Sequence, residues 1–519
     1  MLSKIITASL LGMDAEVITV ETDLQPGLPA VHMVGLADTT IKEARERIRA
    51  AILNSGLEFP RRRITVNLSP AGRPKEGSHF DLPIAMGILM LERHAEPMIE
   101  KTAFLGELSL DGQVKPIRGA LPLAMGLRQQ GIRRLVLPEN NLREVALLKD
   151  MRLYPVRTLA ESLAYARGKK QKNWVTMQAE NDCEVDSARE EFRDVAGQER
   201  VKRAALVAAA GNHGIFMIGS PGSGKTMIAK RIPSIMPEMS YEERLEVTRV
   251  YSAAGLLDDR CQVVRSRPFR APHHSISKAA FIGGGRIPGP GELSLAHNGI
   301  LFLDEFGEFD PALLETLRQP VEKGTITINR SWGSVSFPCR VMLVAASNPC
   351  RCGYYGDQNH LCTCSERELA RYYSRFSGPL LDRFDLHIQV LPVPRSQITS
   401  GGKGEDSYSM RQKVAVAAEI QTERYKDAGI RFNSRLTEKQ TEAFCPMTEE
   451  SRRFLQKAYE TLGLSMRAYY KMIKVSRTIA DLEQEPLIHT AHIAEALQYR
   501  QLEPFYRRME YDRSRSIYK

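Results

Sequence analysis

No stretch of the 519 residues approaches the ~18 consecutive apolar residues that a helix needs to cross a bilayer, which excludes a membrane-spanning helix. The apolar start, Ile5 to Met13, is short and runs into Asp14 and Glu16, so it reads as a β-strand rather than an export signal. The cytoplasm is the expected location. No internal repeat or low-complexity tract is visible, and nothing in the composition favours disorder. Cysteine is sparse, with eight residues, yet Cys350, Cys352, Cys362 and Cys364 crowd into fifteen positions. Without an export signal such a cluster points to a metal before a disulfide.

What is present is ordinary for a protein that buries a normal core: 43% apolar and 26% charged residues. The length exceeds what one hydrophobic core supports and predicts about three domains. A net charge of +10 favours an anionic partner, either a phosphate polymer or an acidic surface, without choosing between them.

Residues 1–168 alternate short β-rich runs (Ala15 to Val20, Arg63 to Leu68, Arg134 to Leu137) with helical patterns such as Thr40 to Leu53, which reads as a compact α/β domain. Residues 169–190 are polar, charged and aperiodic, a linker. Residues 191–395 carry apolar runs at Gly214 to Ile218, Gly299 to Leu303 and Arg340 to Ala346, separated by helical or looped segments, the pattern of a parallel sheet flanked by helices. A second polar stretch, Ser396 to Asp406, precedes a helical domain at 408–505, with Glu450 to Leu462 and Ala468 to Leu482 as its clearest helices, and a basic tail at 506–519. The fold class is therefore multidomain α/β with a helical C-terminal domain.

Gly214 to Ile218 runs into Gly219-Ser-Pro-Gly-Ser-Gly-Lys-Thr226 and then a helical stretch. Strand, glycine-rich loop and helix in that order match the P-loop spacing. Gly219, Gly222, Ser223 and Gly224 let backbone N–H groups turn toward phosphates, Lys225 reaches the β and γ phosphates of ATP, and Thr226 holds Mg²⁺. Ile300-Leu-Phe-Leu-Asp-Glu305 ends an apolar strand in two carboxylates. Asp304 suits the hydrated Mg²⁺, and Glu305 suits the base that orients the attacking water. Asn348, after the next apolar strand, is placed to sense the γ phosphate or that water.

Three further stretches carry a specific likeness: Arg267-Pro-Phe-Arg-Ala-Pro-His-His-Ser275, Pro290-Gly-Glu-Leu-Ser-Leu-Ala-His-Asn298 and Asn348-Pro-Cys350. Together with the nucleotide motifs the chain resembles, over nearly its whole length, the magnesium-chelatase-related AAA+ ATPases and within them the bacterial ComM/YifB group. The resemblance implies Asn348 as sensor 1, Arg383 as an arginine acting on a neighbouring subunit's nucleotide, and Arg467 as second sensor in a helical lid. It also implies a ring, a hexamer forming around DNA, that drives helicase or branch-migration activity in recombination during natural transformation.

Gly324 to Arg340 reads as a hairpin around Ser331-Trp-Gly333. In related motors such a hairpin faces the central pore, which makes Arg330 and Trp332 candidates for a phosphate and a base, an ordinary surface hairpin being the alternative. The N-terminal domain resembles the Lon protease domain at Lys75 to Asp81 and Gly106 to Ile117. The aligned serine and lysine positions fall on His79 and Leu121, so the expectation is a non-proteolytic scaffold or DNA-contacting collar. Arg61, Arg62, Arg63, Arg73 and Lys75 are candidates for a basic surface on it.

Cys350-x-Cys352 and Cys362-x-Cys364 give two chelating pairs that suit a closed tetrahedral Zn²⁺ site, although the pairs are C-x-C rather than the C-x-x-C of zinc ribbons. His360 is a substitute ligand, and Arg351, Tyr354 and Tyr355 are candidate DNA contacts beside it. Two competing functions remain: a chelatase-type motor that remodels a protein partner, and a nucleotide-gated scaffold that hydrolyses slowly.

Overall fold

The computed structural model describes residues 2–35, 38–72, 75–91, 101–168, 190–258, 262–285, 288–331, 333–357, 359–376, 378–393 and 404–500. Nearly all of the expected linker 169–190, part of the polar stretch after 393, and the expected basic tail lie outside them, as do Arg73 and Trp332.

Two long strands, β1 (Leu2–Leu11) and β2 (Asp14–Gln25), form an antiparallel hairpin in which Leu11 pairs with Asp14. Gly12 turns the chain with φ +67°, a conformation that favours glycine. Along β2, Ile18, Val20, Thr22 and Leu24 are buried while their neighbours are not, the alternation of a strand with one covered face. β3 (Ala30–Val34), β4 (Arg63–Ser69), β5 (Thr102–Phe104), β8 (Arg134–Pro138) and β9 (Arg152–Val156) complete a mixed seven-stranded sheet in the order β3-β4-β2-β1-β5-β8-β9, while the short β6 (Glu107–Leu108) and β7 (Val114–Lys115) pair with each other. The expected helix at Thr40 to Leu53 spans Thr39–Asn54, with the Asp38 carboxylate accepting from the Ile41 N–H.

The second unit is a five-stranded, all-parallel sheet in the order β11-β14-β17-β10-β18: β11 (Phe269–Arg270), β14 (Ile300–Leu303), β17 (Met342–Ser347), β10 (Ile215–Ile218) and β18 (Leu386–Gln389). β10, β14 and β17 are buried along their whole length, as unbroken apolar runs must be when helices cover both faces of a parallel sheet. Two small hairpins extend from it: β12 (Gly283–Gly284) with β13 (Gly289–Pro290), and β15 (Thr325–Arg330) with β16 (Gly333–Pro338).

Beyond residue 404 the chain is helical: Ser407–Tyr425, Glu438–Phe444, Glu449–Leu462, Met466–Leu482 and Thr490–Gln498. Val414, Ala417, Met472, Val475 and Ile479 join Ala205, Ile215, Ile228 and Val344 in one apolar cluster, so the helical layer shares a core with the parallel sheet. The N-terminal unit docks on the helix Tyr241–Ala254 and the β15–β16 hairpin. Met13 is buried with Val250, Ala253, Leu295, Val335 and Phe337, Arg118 Nε donates to Ala253 O at 2.7 Å, and Arg249 donates to Met13 O and to the Asp14 carboxylate.

Candidate functional site

β10, an inner strand between β17 and β18, launches the loop Gly219 to Gly224 and the helix Lys225–Ile235. Gly224 enters that helix at φ +95° and Gly222 sits at φ +76° with nothing within 4 Å of the place a Cβ would occupy. The loop is thus a bare backbone cradle at a helix N-terminus. Lys225 is buried, and its ammonium donates to Gly219 O at 2.7 Å, Ser220 O at 2.9 Å and Asn348 Oδ1 at 3.2 Å. Burial pushes it down to about 8, opposed by the nearby Asp304 carboxylate. The Thr226 hydroxyl donates to Asp304 Oδ2 at 2.8 Å. Two hard oxygen donors side by side at the lip of a phosphate cradle fit Mg²⁺, which takes one or two protein oxygens and fills its octahedron with water and phosphate.

Glu305 follows Asp304 with φ +50° and ψ +46°, an unusual backbone for a non-glycine residue and one often found where a side chain must be aimed. Its carboxylate lies 3.4 Å from His274 Nδ1. The His274 ring lies against that of His273, tilted by 34° with centroids 4.1 Å apart. Sequence reasoning used this His-His pair only as part of a family signature and missed its contact with the candidate base.

Arg383 and Arg467 come together. Arg383 Nη2 lies 3.0 Å from Glu322 Oε1, and Arg467 Nη2 pairs with the same oxygen. The Arg383 side chain is only 7% exposed, and its Nε and Nη1 have no hydrogen-bond partner among the described residues. The loop that carries it is hung from the helical layer: Lys471 Nζ donates to Phe384 O at 3.1 Å and lies 2.8 Å from the Asp385 carboxylate, which also contacts His213 Nδ1 at 2.9 Å. Despite its burial, Asp385 is held far below the usual carboxylate range by the Lys471 charge and the His213 contact. Glu322, Lys471 and His213 gave no signal in the sequence, because each meets its partner across a long stretch of chain.

All four clustered cysteines present sulfurs within 4.8 Å of one another. Cys350 lies 3.2 Å from Cys352 and 3.7 Å from Cys362, with Cys352 to Cys362 at 3.5 Å. Zn–S bonds of ~2.3 Å in a tetrahedron put sulfurs about 3.8 Å apart, so the set fits Zn²⁺ closely. His360 is not part of it: its ring stacks on Tyr354 and pairs with Asp357.

The β15–β16 hairpin forms as its sequence predicts. Arg330 at its tip donates to Gly285 O of the neighbouring small hairpin, from Nη2 at 3.0 Å and Nε at 3.3 Å. Arg351 is exposed. In the N-terminal unit Arg61, Arg62 and Arg63 are exposed, but Lys75 is fully buried and is removed from the expected basic surface, its ammonium donating to Pro70 O. His79 is buried, donates from Nε2 to Ala8 O at 2.9 Å and is pushed down to about 4 by burial, while Leu121 is wholly enclosed.

A parallel β11-β14-β17-β10-β18 sheet with a phosphate loop after β10, an acidic pair after β14 and a polar sensor after β17 defines a P-loop protein of the AAA+ class. Family profiles agree: "Magnesium chelatase, subunit ChlI" matches residues 191–398, "Subunit ChlI of Mg-chelatase" matches 20–141, and "Magnesium chelatase, subunit ChlI C-terminal" matches 404–500. The chain is 41% identical to Competence protein ComM of Haemophilus influenzae, covering 96% of this chain and 97% of that one. It is 40% identical to YifB of Escherichia coli, covering 97% of each. A more distant relative, the maternal DNA replication licensing factor mcm6 of Xenopus tropicalis, is 22% identical over 59% of this chain and 36% of its own length. The chain belongs to the ComM/YifB family of magnesium-chelatase-related AAA+ ATPases.

Proposed function

We propose that this protein is an ATP-driven, ring-forming DNA motor of the helicase or branch-migration type, serving recombination of incoming DNA in the cytoplasm. The observation that carries the reading is the convergence of Lys225, Thr226, Asp304 and Asn348 at one cradle with Glu305 beside them. Lys225 neutralises the β and γ phosphates, Thr226 and Asp304 hold Mg²⁺ (the ion that offsets phosphate charge), and Asn348 fixes the γ phosphate. Glu305 takes a proton from the water that attacks the γ phosphorus, and ADP leaves with the electron pair of the broken P–O bond.

Because Arg383 and Arg467 share Glu322, they serve one nucleotide together, that of the adjacent subunit in a hexamer. The DNA part of the reading is supported by the positive net charge, by the hairpin bearing Arg330 and Trp332, by exposed Arg351, and by relatives named for competence and for DNA replication licensing. Four thiolates hold a structural Zn²⁺ with no open position for chemistry. The N-terminal unit is a Lon-like scaffold without proteolysis, since a buried neutral His79 and the aliphatic Leu121 stand at the serine and lysine positions.

The test is ATP hydrolysis by the purified protein with and without single-stranded and branched DNA, with Lys225→Ala and Glu305→Gln as controls. DNA stimulation abolished by both substitutions supports the motor. Brisk hydrolysis indifferent to every DNA sinks it and favours the second reading, a remodeller of a protein partner, which the magnesium-chelatase profiles support.

A further inference from the structure

Three acceptors surround the Lys471 ammonium, and all come from the residues next to Arg383. Its Nζ donates to Asp382 O and, at 3.1 Å, to Phe384 O, the carbonyls on either side of the arginine, and lies 2.8 Å from Asp385 Oδ1. An ammonium has three N–H donors, a number matched by this short stretch of chain. Lys471 stands on the helix Met466–Leu482, four residues after Arg467, a spacing that puts both on one helix face. Arg383 and Arg467 in turn meet on Glu322. Lys471 thus ties the element that carries one arginine to the element that carries the other.

A second tie runs through the other carboxylate oxygen. Asp385 Oδ2 contacts His213 Nδ1 at 2.9 Å, and His213 Nε2 contacts Thr478 Oγ1 at 2.8 Å, two turns beyond Lys471 on the same helix. The Lys471 and Asp385 side chains are only 14% and 13% exposed, which protects their ion pair from screening. The Arg383 guanidinium is less constrained, since its Nε and Nη1 have no hydrogen-bond partner among the described residues. Its aim is therefore set largely by the backbone that Lys471 grips.

We propose that Lys471 is the positioning residue of the arginine pair, holding the Arg383 backbone against the helix of Arg467 so that both guanidinium groups reach the adjacent subunit's nucleotide together. The inference rests on the role proposed above for the two arginines and goes beyond it by naming what aims them. An arginine stabilises the charge of phosphoryl transfer only if it stands in place at the moment of reaction, so a shift of about 1 Å costs rate rather than nucleotide affinity. Without the ammonium, the Asp382 and Phe384 carbonyls lose their common donor and Arg383 parts from Arg467, although neither arginine has changed.

The experiment compares the full chain as wild type, Lys471→Met, Lys471→Met with Asp385→Asn, Arg383→Ala, and that paired substitution combined with Arg383→Ala. Lys471→Met alone leaves a covered carboxylate without its cation and destabilises the fold; the paired substitution removes both charges at nearly constant volume. Steady-state hydrolysis gives kcat and KM, titration with a fluorescent ATP analogue gives affinity, and melting and size-exclusion chromatography report folding and assembly. Arg383→Ala is expected to lower kcat at least about a hundredfold. The paired substitution is expected to lower kcat about thirtyfold with KM and analogue affinity within about twofold. Added to Arg383→Ala, it should cost no more than about twofold further, whereas a merely structural role would cost the same with or without Arg383. Losses that multiply, a paired variant that fails to fold or assemble, or one that folds with kcat within about threefold of wild type each overturn the positioning role alone. An Arg383→Ala variant as active as wild type overturns the arginine reading and the proposal with it.

Discussion

His274 places Nδ1 3.4 Å from Glu305 Oε2, and His274 is the one basic group among the described residues paired with that carboxylate. The imidazole sits on a loop that leads through the short helix Lys278–Ile282 into β12, next to Gly285, whose carbonyl holds Arg330 of the β15–β16 hairpin. Candidate DNA contact and candidate base are thus joined by a short run of packed chain.

His274→Ala should lower kcat about tenfold while leaving nucleotide affinity within twofold, because a misplaced base loses near-attack geometry rather than binding. His274→Asn, whose side-chain N–H can stand where Nδ1 stands, should recover most of the loss. Steady-state hydrolysis with parallel nucleotide titration decides it; an equal loss in both variants would make His274 a packing residue only.

Lys225 supplies a pH prediction. Its ammonium is lowered to about 8 in the free protein by burial, and phosphate stabilises the charged form and raises it. Below about pH 7 the lysine is charged in both states and nucleotide binding takes up no proton at this group. Above pH 8 the free protein has lost the proton, so binding must recover it and affinity falls as pH rises. Calorimetry in buffers of different ionisation enthalpy should show proton uptake that grows from pH 7 to 9 and is lost in Lys225→Ala.

Arg383 and Arg467 meeting on Glu322 predicts complementation between subunits. Lys225→Ala keeps both arginines but has no working cradle, and Arg467→Ala keeps the cradle. Each alone should fall at least a hundredfold in hydrolysis, and mixing them should restore a measurable fraction, since an intact cradle can then face an intact arginine. Mixtures with no recovery would place Arg467 at its own subunit's nucleotide.

Gly12 offers a test of the docking between units. A Cβ at this position would fall 1.9 Å from Val335 Cγ1, on a backbone at φ +67°. Gly12→Ala should therefore destabilise by about 1–3 kcal/mol, seen as a lower melting temperature, with nucleotide affinity unchanged.

The nucleotide motifs were legible in the sequence because their chemistry is contiguous: Gly219 to Thr226 and Asp304-Glu305 each sit at one strand end, and strand burial follows from unbroken apolar runs. The hairpin strands were legible for the same local reason. Glu322, Lys471 and Asp385 were not, since an ion pair or hydrogen bond between distant segments leaves no periodic trace. Lys75 shows the opposite error. It lies among charged and polar neighbours that read as surface, yet the Pro70 carbonyl satisfies its ammonium inside the fold, a pairing that local composition cannot announce.

The hairpin bearing Arg330 has Val335 and Phe337 sealed against Met13 of the first β-turn, together with Val250 and Leu295. An apolar seal of this kind has no half-open setting, because parting it exposes all of its members to water at once. Under the proposed motor function, displacing the hairpin carries the N-terminal unit with it, because Met13, Arg118 and Arg249 join the two.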